Sequence, residues 1–375
     1  MRAAGVQPNS YTLSSILRAC SVSKSHSETL KVHGHIIKTK AGSDTVVANA
    51  LVDAYATLGM VDDAWRVINT MIHRDVITYT SLATRMKQMG HYEMALNVIN
   101  CMSGADIKMD GFSLASFLSA SAGLATMETG KQLHCYSVKA GLGSGLSVSN
   151  ALVDLYGKCG CIADAQRAFG EISQPDIVSW NGLISGLASN GCISSALSAF
   201  DDMRLAEIKP DCVTVLLVLF ACSRGGLVEL GLEYFHSMRE KYDVAPQLDH
   251  YVGLVDLLGR AGRLENAMEV IMNMPFKPDA LIYKTLLAAC RLHRNIAMGE
   301  DMARRGIELD PSDPAFYVVL ANLYDDSGQP DLAKRTIQSM KERGLAKNHG
   351  QCWKQPRRRI DSYAAKHENV SNLNI

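Results

Sequence analysis

The sequence predicts an all-α fold, a right-handed α-solenoid of stacked helix-turn-helix repeats, and three observations carry that prediction. The first is internal repetition. Asn49 to Ala64 reads NALVDAYATLGMVDDA and Asn150 to Ala165 reads NALVDLYGKCGCIADA, with nine of sixteen residues identical at an offset of 101. The offset extends from Ser10–Asp110 over Gly111–Asp211, placing His134 and Lys139 on His33 and Lys38; a third copy, LVDLLGRAGRLENA from Leu254, follows 102 residues after the second. A fixed long period marks a repeat architecture and overrides a domain count drawn from length. The second observation is a helical period within each copy, and the third is a set of small residues, Ala64, Ala165, Ala196 and Ala267, at one register position where two helices approach closely.

Each period divides into three units. Ser10–Asp44, Thr45–Asp75 and Val76–Asp110 have 35, 31 and 35 residues, and the next period divides the same way at Gly145, Asp176 and Asp211. Cys212–Gln247 and Leu248–Asp279 follow with 36 and 32 residues, then two less regular units, Ala280–Asp313 and Pro314 to about Trp353. The unit at 45–75 shows the local logic. Val47, Leu51, Val52 and Tyr55 share one face of a 3.6-residue period, and Gly59 ends that helix just past its last periodic residue. Val61, Ala64, Trp65, Ile68 and Met71 form the stripe of a second helix. Two helices this short cannot bury both apolar faces alone, so neighbouring units supply the core and leave an extended concave surface.

Composition excludes several classes. Lys+Arg 38 against Asp+Glu 38 gives no net charge, so binding of nucleic acid chiefly by neutralising phosphate is not expected. The longest strongly apolar run, Val213–Cys222, is half of a bilayer span, so no membrane partner is expected. Ten cysteines include no C-x-x-C pair. Cys20, Cys222 and Cys290 end the similar phrases ILRAC, LFAC and LAAC and are expected to be small buried packing residues, not metal ligands.

The unit lengths, in that order, and the phrases LRAC, GKQLHCYSVKAG, NALVDLYGKCG, VSWNGLISGLASNGCISSALSAFDDMRLAEIKPD and HYVGLVDLLGRAGRLENAMEVIMNMPFKPD resemble the plant pentatricopeptide repeat family, in its PLS class. The resemblance names 10–44, 111–145 and 212–247 as long repeats, 45–75, 146–176 and 248–279 as short ones, and 76–110 and 177–211 as standard ones, after a partial repeat at 1–9. LIYKTLLAACRLHRN and the sequence after it resemble the tetratricopeptide-like E extension, placed at 280–353 before a polar tail at 354–375.

That resemblance implies single-stranded organellar RNA as partner, read one base per repeat by the fifth and last residues of each repeat. The pairs are Asn49 with Asp75, Thr80 with Asp110, Asn150 with Asp176, and Asn181 with Asp211. Asparagine with aspartate is the family's uracil-preferring pair and threonine with aspartate its guanine-preferring pair, giving U, G, any base, U, U. Chemically, an amide both donates and accepts, as uracil's edge requires, and a carboxylate accepts from guanine's donors while a hydroxyl meets its carbonyl. Ser14 with Asp44, and Asp279 with Val252, are weaker readers; Ala115 with Gly145 and Leu216 with Gln247 offer little polar chemistry. An asparagine or aspartate near a helix start also serves as a cap, but Thr78 and Ser179 stand where the caps are expected, which makes that role redundant. Lys158 and Arg260 share a place at the ends of first helices, where the expectation is a solvated cation complementing the helix dipole over a phosphate contact.

No enzyme is expected. A DYW-type deaminase needs H-x-E followed by P-C-x-x-C; His91-Tyr92-Glu93 lies at the start of a second helix and no C-x-x-C follows it. Arg357–Arg359 reads as a solvated tail. The expected role is site recognition for C-to-U editing, with a separate DYW-type deaminase and organellar editing co-factors as partners and neither cofactor nor small-molecule substrate. Splicing, stabilisation or cleavage support are alternatives, as is a helical scaffold that binds protein. The family implies a mitochondrion, or else a chloroplast. MRAAGVQPN carries no targeting signal and matches the internal MRLAEIKPD, so the chain is expected to begin inside a repeat, as a truncated or degraded copy would.

Overall fold

A computed structural model describes residues 8–346. Trp353, the tail from 354 and the Arg357–Arg359 triplet lie outside the described residues, as does part of the segment 1–9. The described residues form α-helices and one short 3₁₀ turn, Ala41–Ser43, with no strand among them.

The first period comprises α1 (Ser10–Val22) with α2 (His26–Thr39), α3 (Thr45–Thr57) with α4 (Val61–Thr70), and α5 (Val76–Gln88) with α6 (Tyr92–Gly104). The second comprises α7 (Gly111–Gly123) with α8 (Met127–Lys139), α9 (Leu146–Lys158) with α10 (Ile162–Gly170), and α11 (Ile177–Ser189) with α12 (Ile193–Leu205). Next come α13 (Cys212–Gly225), α14 (Val228–His236) and the short α15 (Met238–Tyr242), then α16 (Leu248–Arg260) with α17 (Leu264–Asn273). Two further pairs are α18 (Ala280–Leu292) with α19 (Ile296–Leu309) and α20 (Pro314–Asp326) with α21 (Pro330–Glu342).

Local chemistry sets the ends of these helices. Gly59 takes φ +77° and Gly160 φ +79°, a left-handed conformation that costs glycine little. That turn lets the Met60 N–H reach the Tyr55 carbonyl at 2.9 Å and the Gly59 N–H the Ala56 carbonyl at 3.1 Å, so the last carbonyls of α3 stay satisfied. Aspartates open the first helices: Asp44, Asp75, Asp110, Asp176, Asp211, Asp279 and Asp313 are all N-caps whose side chains accept a backbone N–H.

Packing follows a nearest-neighbour rule. Every first helix packs on the next: α1 on α3, α3 on α5, and so through α7, α9, α11, α13, α16, α18 and α20. Second helices pack on their own first helix and, through much of the stack, on the next first helix. A stack with one continuous layer and one splayed layer curves toward the continuous one, so the first helices line its inner side. Between the layers runs an apolar core that includes Leu51, Tyr55, Leu82, Phe117, Phe200 and Leu286, each at most 2% exposed. Each such side chain contributes about 1.5–3 kcal/mol by leaving water.

The small residues sit where close approach demands them. Ala64, Ala165, Ala196 and Ala267 are buried. A β-carbon on Gly157 would lie 3.0 Å from the Gly186 Cα, so α9 and α11 meet backbone to backbone. Cys20, Cys222 and Cys290 are buried as expected, and burial pushes the Cys222 thiol up to about 11 and the Cys290 thiol to about 12. The repeated histidines have a structural reason as well: His33 Nδ1 lies 2.6 Å from the Tyr55 hydroxyl and His134 Nδ1 lies 2.7 Å from that of Tyr156, tying α2 to α3 and α8 to α9.

Candidate nucleic-acid interface

Three of the four expected reader pairs come together, each with a third residue; two of these, Thr78 and Ser179, are the ones expected as caps. Asn49 is the fifth residue of α3, and its Nδ2 donates to Asp75 Oδ1 at 3.3 Å. Thr78 Oγ1 donates to Asn49 Oδ1 at 2.7 Å, and the Thr78 backbone N–H donates to Asp75 Oδ1 at 2.9 Å. The same triad forms from Asn150, Asp176 and Ser179, and again from Asn181, Asp211 and Thr214, with the amide at 3.3 Å from the carboxylate and the hydroxyl at 2.7 Å from the amide oxygen each time.

The hydrogen bookkeeping fixes the amide. Asp75 Oδ1 already accepts the Thr78 N–H and an Asn49 N–H, so the single hydroxyl proton of Thr78 is best used on Asn49 Oδ1, although Asp75 Oδ1 is also only 2.8 Å away. Turning the amide over would set its oxygen against the carboxylate. Held this way, Asn49 keeps one N–H and one lone pair for a ligand, and among the described residues no protein group donates to Asp75 Oδ2.

This arrangement corrects the expectation about caps. Asp75 and Asp176 are themselves the N-caps of α5 and α11, while Thr78 and Ser179 are the third helical residues that close a capping box. The aspartates therefore have a structural role, worth about 1 kcal/mol each. The asparagines do not cap.

Thr80 and Asp110 are not brought into contact. Thr80 is 7% exposed and its hydroxyl donates to the Val76 carbonyl at 2.7 Å, while Asp110 caps α7 and bonds Ser113. The weaker pairs stand apart too. Asp44 accepts the Val46 N–H, Asp279 accepts the Ile282 N–H, and the buried Ser14 hydroxyl has no partner among the described residues. Lys158 and Arg260 each bond an aspartate four residues earlier, Asp154 and Asp256, consistent with charged ends of helices.

A further row of residues escaped sequence reasoning. Val46, Ile77, Phe112, Val178 and Val213 are the second residues of α3, α5, α7, α11 and α13, and all are exposed. Apolar side chains read as core by type, and only their place on the first turn, beside a cap, puts them in solvent. The row skips α9, whose second residue is Ser147, and on α3 and α11 it stands three residues before the asparagine of a triad.

The carboxylates of the three triads are held ionised. Burial raises the pKa of Asp75, Asp176 and Asp211, but bonds from the backbone N–H and hydroxyl of Thr78, Ser179 and Thr214, and from the asparagine amides, outweigh it, leaving each below the usual carboxylate value. A depressed folded pKa gives stabilisation that is complete above the unfolded value, about 3.9, and is lost as pH falls through the folded one. Any preference carried by these carboxylates is therefore expected to be flat between about pH 5.5 and 8. Titrating binding over that range checks this, and a midpoint inside it would contradict it.

His91 precedes α6 and Glu93 lies in its first turn. A second H-x-E, His26-Ser27-Glu28, opens α2, where Glu28 pairs with Lys31 at 2.7 Å. No cluster with metal-ligand geometry occurs among the described residues.

Comparison with known proteins agrees with the helical-repeat fold. The PPR repeat family matches residues 175–224, and the PPR repeat matches 46–76, 77–107, 213–242 and 249–277. A chloroplastic pentatricopeptide repeat-containing protein of Arabidopsis thaliana is 53% identical over 360 residues, which is 96% of this chain and 40% of that protein. A mitochondrial one from the same organism is 38% identical over 358 residues, covering 96% and 56%. This chain thus spans about half the length of the curated relatives it matches. Among solved structures, PPR10 in complex with an 18-nt psaJ RNA element aligns with a TM-score of 0.72 at 18% identity, over 92% of this chain and 52% of that one. That likeness establishes the fold as an all-α solenoid of the same kind. The units at 46–107, 175–242 and 249–277 thus match pentatricopeptide repeats, and the chain is a homologue of pentatricopeptide repeat-containing proteins.

Proposed function

We propose that this chain binds single-stranded RNA of an organelle by sequence, with the inner row of triads reading base edges and the exposed apolar residues between them taking the base faces. The observation that supports this most is the triad itself. Three amides, in units of two different lengths, are oriented alike and keep one donor and one acceptor for a ligand. Uracil's carbonyl takes the remaining asparagine N–H, and its N3–H meets the free lone pair or the outer carboxylate oxygen. Val46, Val178 and their counterparts on α5, α7 and α13 offer apolar platforms for base faces, whereas α9 has Ser147 at that place. PPR10, which shares the fold, was crystallised with RNA, and the Arabidopsis relatives carry chloroplastic or mitochondrial names.

Within that reading, the long, short and standard repeats of the PLS class, at 10–279, lead into an E extension from 280, and the role is site recognition for C-to-U editing with a deaminase supplied in trans. A shift assay on RNA carrying U-G-N-U-U against a scrambled control tests the reading; equal affinity for both would sink it. The guanine position has a sharper check. Asp110 and Ser113 already form the two-residue half of a triad, so Thr80→Asn should complete it and move the preference there from G to U by about fivefold or more. An unchanged preference would remove Thr80 and Asp110 from the readers.

A further inference from the structure

The reader register recurs once outside the asparagine triads. Lys284 is the fifth residue of α18 and Asp313 is the N-cap of α20, and the Lys284 ammonium donates to the Asp313 carboxylate. Asp313 uses its other oxygen as the cap, accepting the Ala315 N–H at 2.8 Å. The pair holds the same register positions as Asn49 and Asp75, with an ammonium in place of the amide, although there the amide and the cap N–H share one carboxylate oxygen. Among the described residues, these four are the pairs in which the fifth residue of one first helix bonds the cap of the next. Leu281, the second residue of α18, is exposed, as Val46 and Val178 are at the same place. The two units between have Leu216 and Val252 as fifth residues, with no polar group to offer.

We propose that Lys284 with Asp313 forms a further reading position, three nucleotides beyond the base at Asn181, that selects a base edge with adjacent acceptors. This rests on the RNA reading above. An ammonium has three N–H donors and no acceptor; one goes to Asp313, and two remain. The edges that match are guanine's O6 with N7 and cytosine's N3 with O2, whereas uracil sets an N–H between its carbonyls. The ammonium also lies over the Phe316 ring, 5.4 Å from its centre, which fixes its stem at the first turn of α20 and keeps it from roaming as a free surface lysine does.

The test measures binding of the purified chain to U-G-N-U-U-N-N-X with each base at X. G or C at X should bind at least about fivefold tighter than U or A. Lys284→Met, which keeps the stem on Phe316, should abolish that preference and leave the U preferences at the asparagine positions intact, while Lys284→Arg should keep a preference for acceptor edges. Indifference at X with U still read at the asparagines overturns this inference alone. Indifference at every position overturns the RNA reading with it. A Lys284→Met variant that melts earlier, yet retains the preference at X, identifies the pair as a staple between α18 and α20 and also overturns the proposal.

Discussion

Replacing Asn49, Asn150 and Asn181 together by alanine should abolish the preference for uridine at all three positions and weaken binding of matched RNA by a hundredfold or more, at about 1–3 kcal/mol of discrimination for each base edge. The fold should survive. None of the asparagines caps a helix, and Asp75, Asp176 and Asp211 keep the backbone N–H bonds of Thr78, Ser179 and Thr214. Matched and mismatched RNAs titrated by anisotropy, beside a thermal melt, separate the two outcomes: a variant that melts normally and still prefers uridine would show that the triads do not read. Thr78→Val grades the same argument. It leaves Asn49 in place but removes the hydroxyl that orients the amide, so only the first uridine should lose discrimination, by about fivefold, the value of one hydrogen bond.

The second large effect concerns stability. Gly186→Val should cost about 1–3 kcal/mol or more, because the atom its side chain meets is backbone. A β-carbon on Gly186 would lie 3.1 Å from the Gly157 Cα, and no rotamer change relieves that contact; α9 and α11 must separate. In a stack held by neighbour contacts, a weakened joint uncouples the segments on either side of it. Denaturant unfolding should therefore shift to a lower midpoint and split into two transitions, read by circular dichroism. A single transition at the original midpoint would mean that the helices have room to give.

The stack was legible in the sequence because its determinants are local and repeated. Gly59 and Gly160 end helices through a backbone conformation tied to residue type, and Ala64, Ala165, Ala196 and Ala267 mark close approach by size. The site was legible in part. The family resemblance, laid over the repeat register, named Asn49 and Asp75, but the start of α5 turns on the backbone angles of one residue, which residue type constrains weakly, so Thr78 reads as the cap that belongs to Asp75. Thr80 shares the register of the asparagines, yet its short hydroxyl reaches back to the Val76 carbonyl, and no pattern in the sequence reveals that. The exposure of Phe112 and Val213 was hidden for a related reason: apolar type predicts burial, and only position on a first turn reverses it.

That helices touch only near neighbours also bears on how the chain acquires its shape. Among the described residues the main helix contacts do not wait for the closure of a long loop, so the entropic barrier to organising any one pair is small, and order can spread from whichever pair forms first. A pair emerging early in synthesis can thus wait as a template for the next. The register of the stack is then set by growth from one joint to the next, and an error at one joint displaces the positions beyond it without unfolding those already laid down.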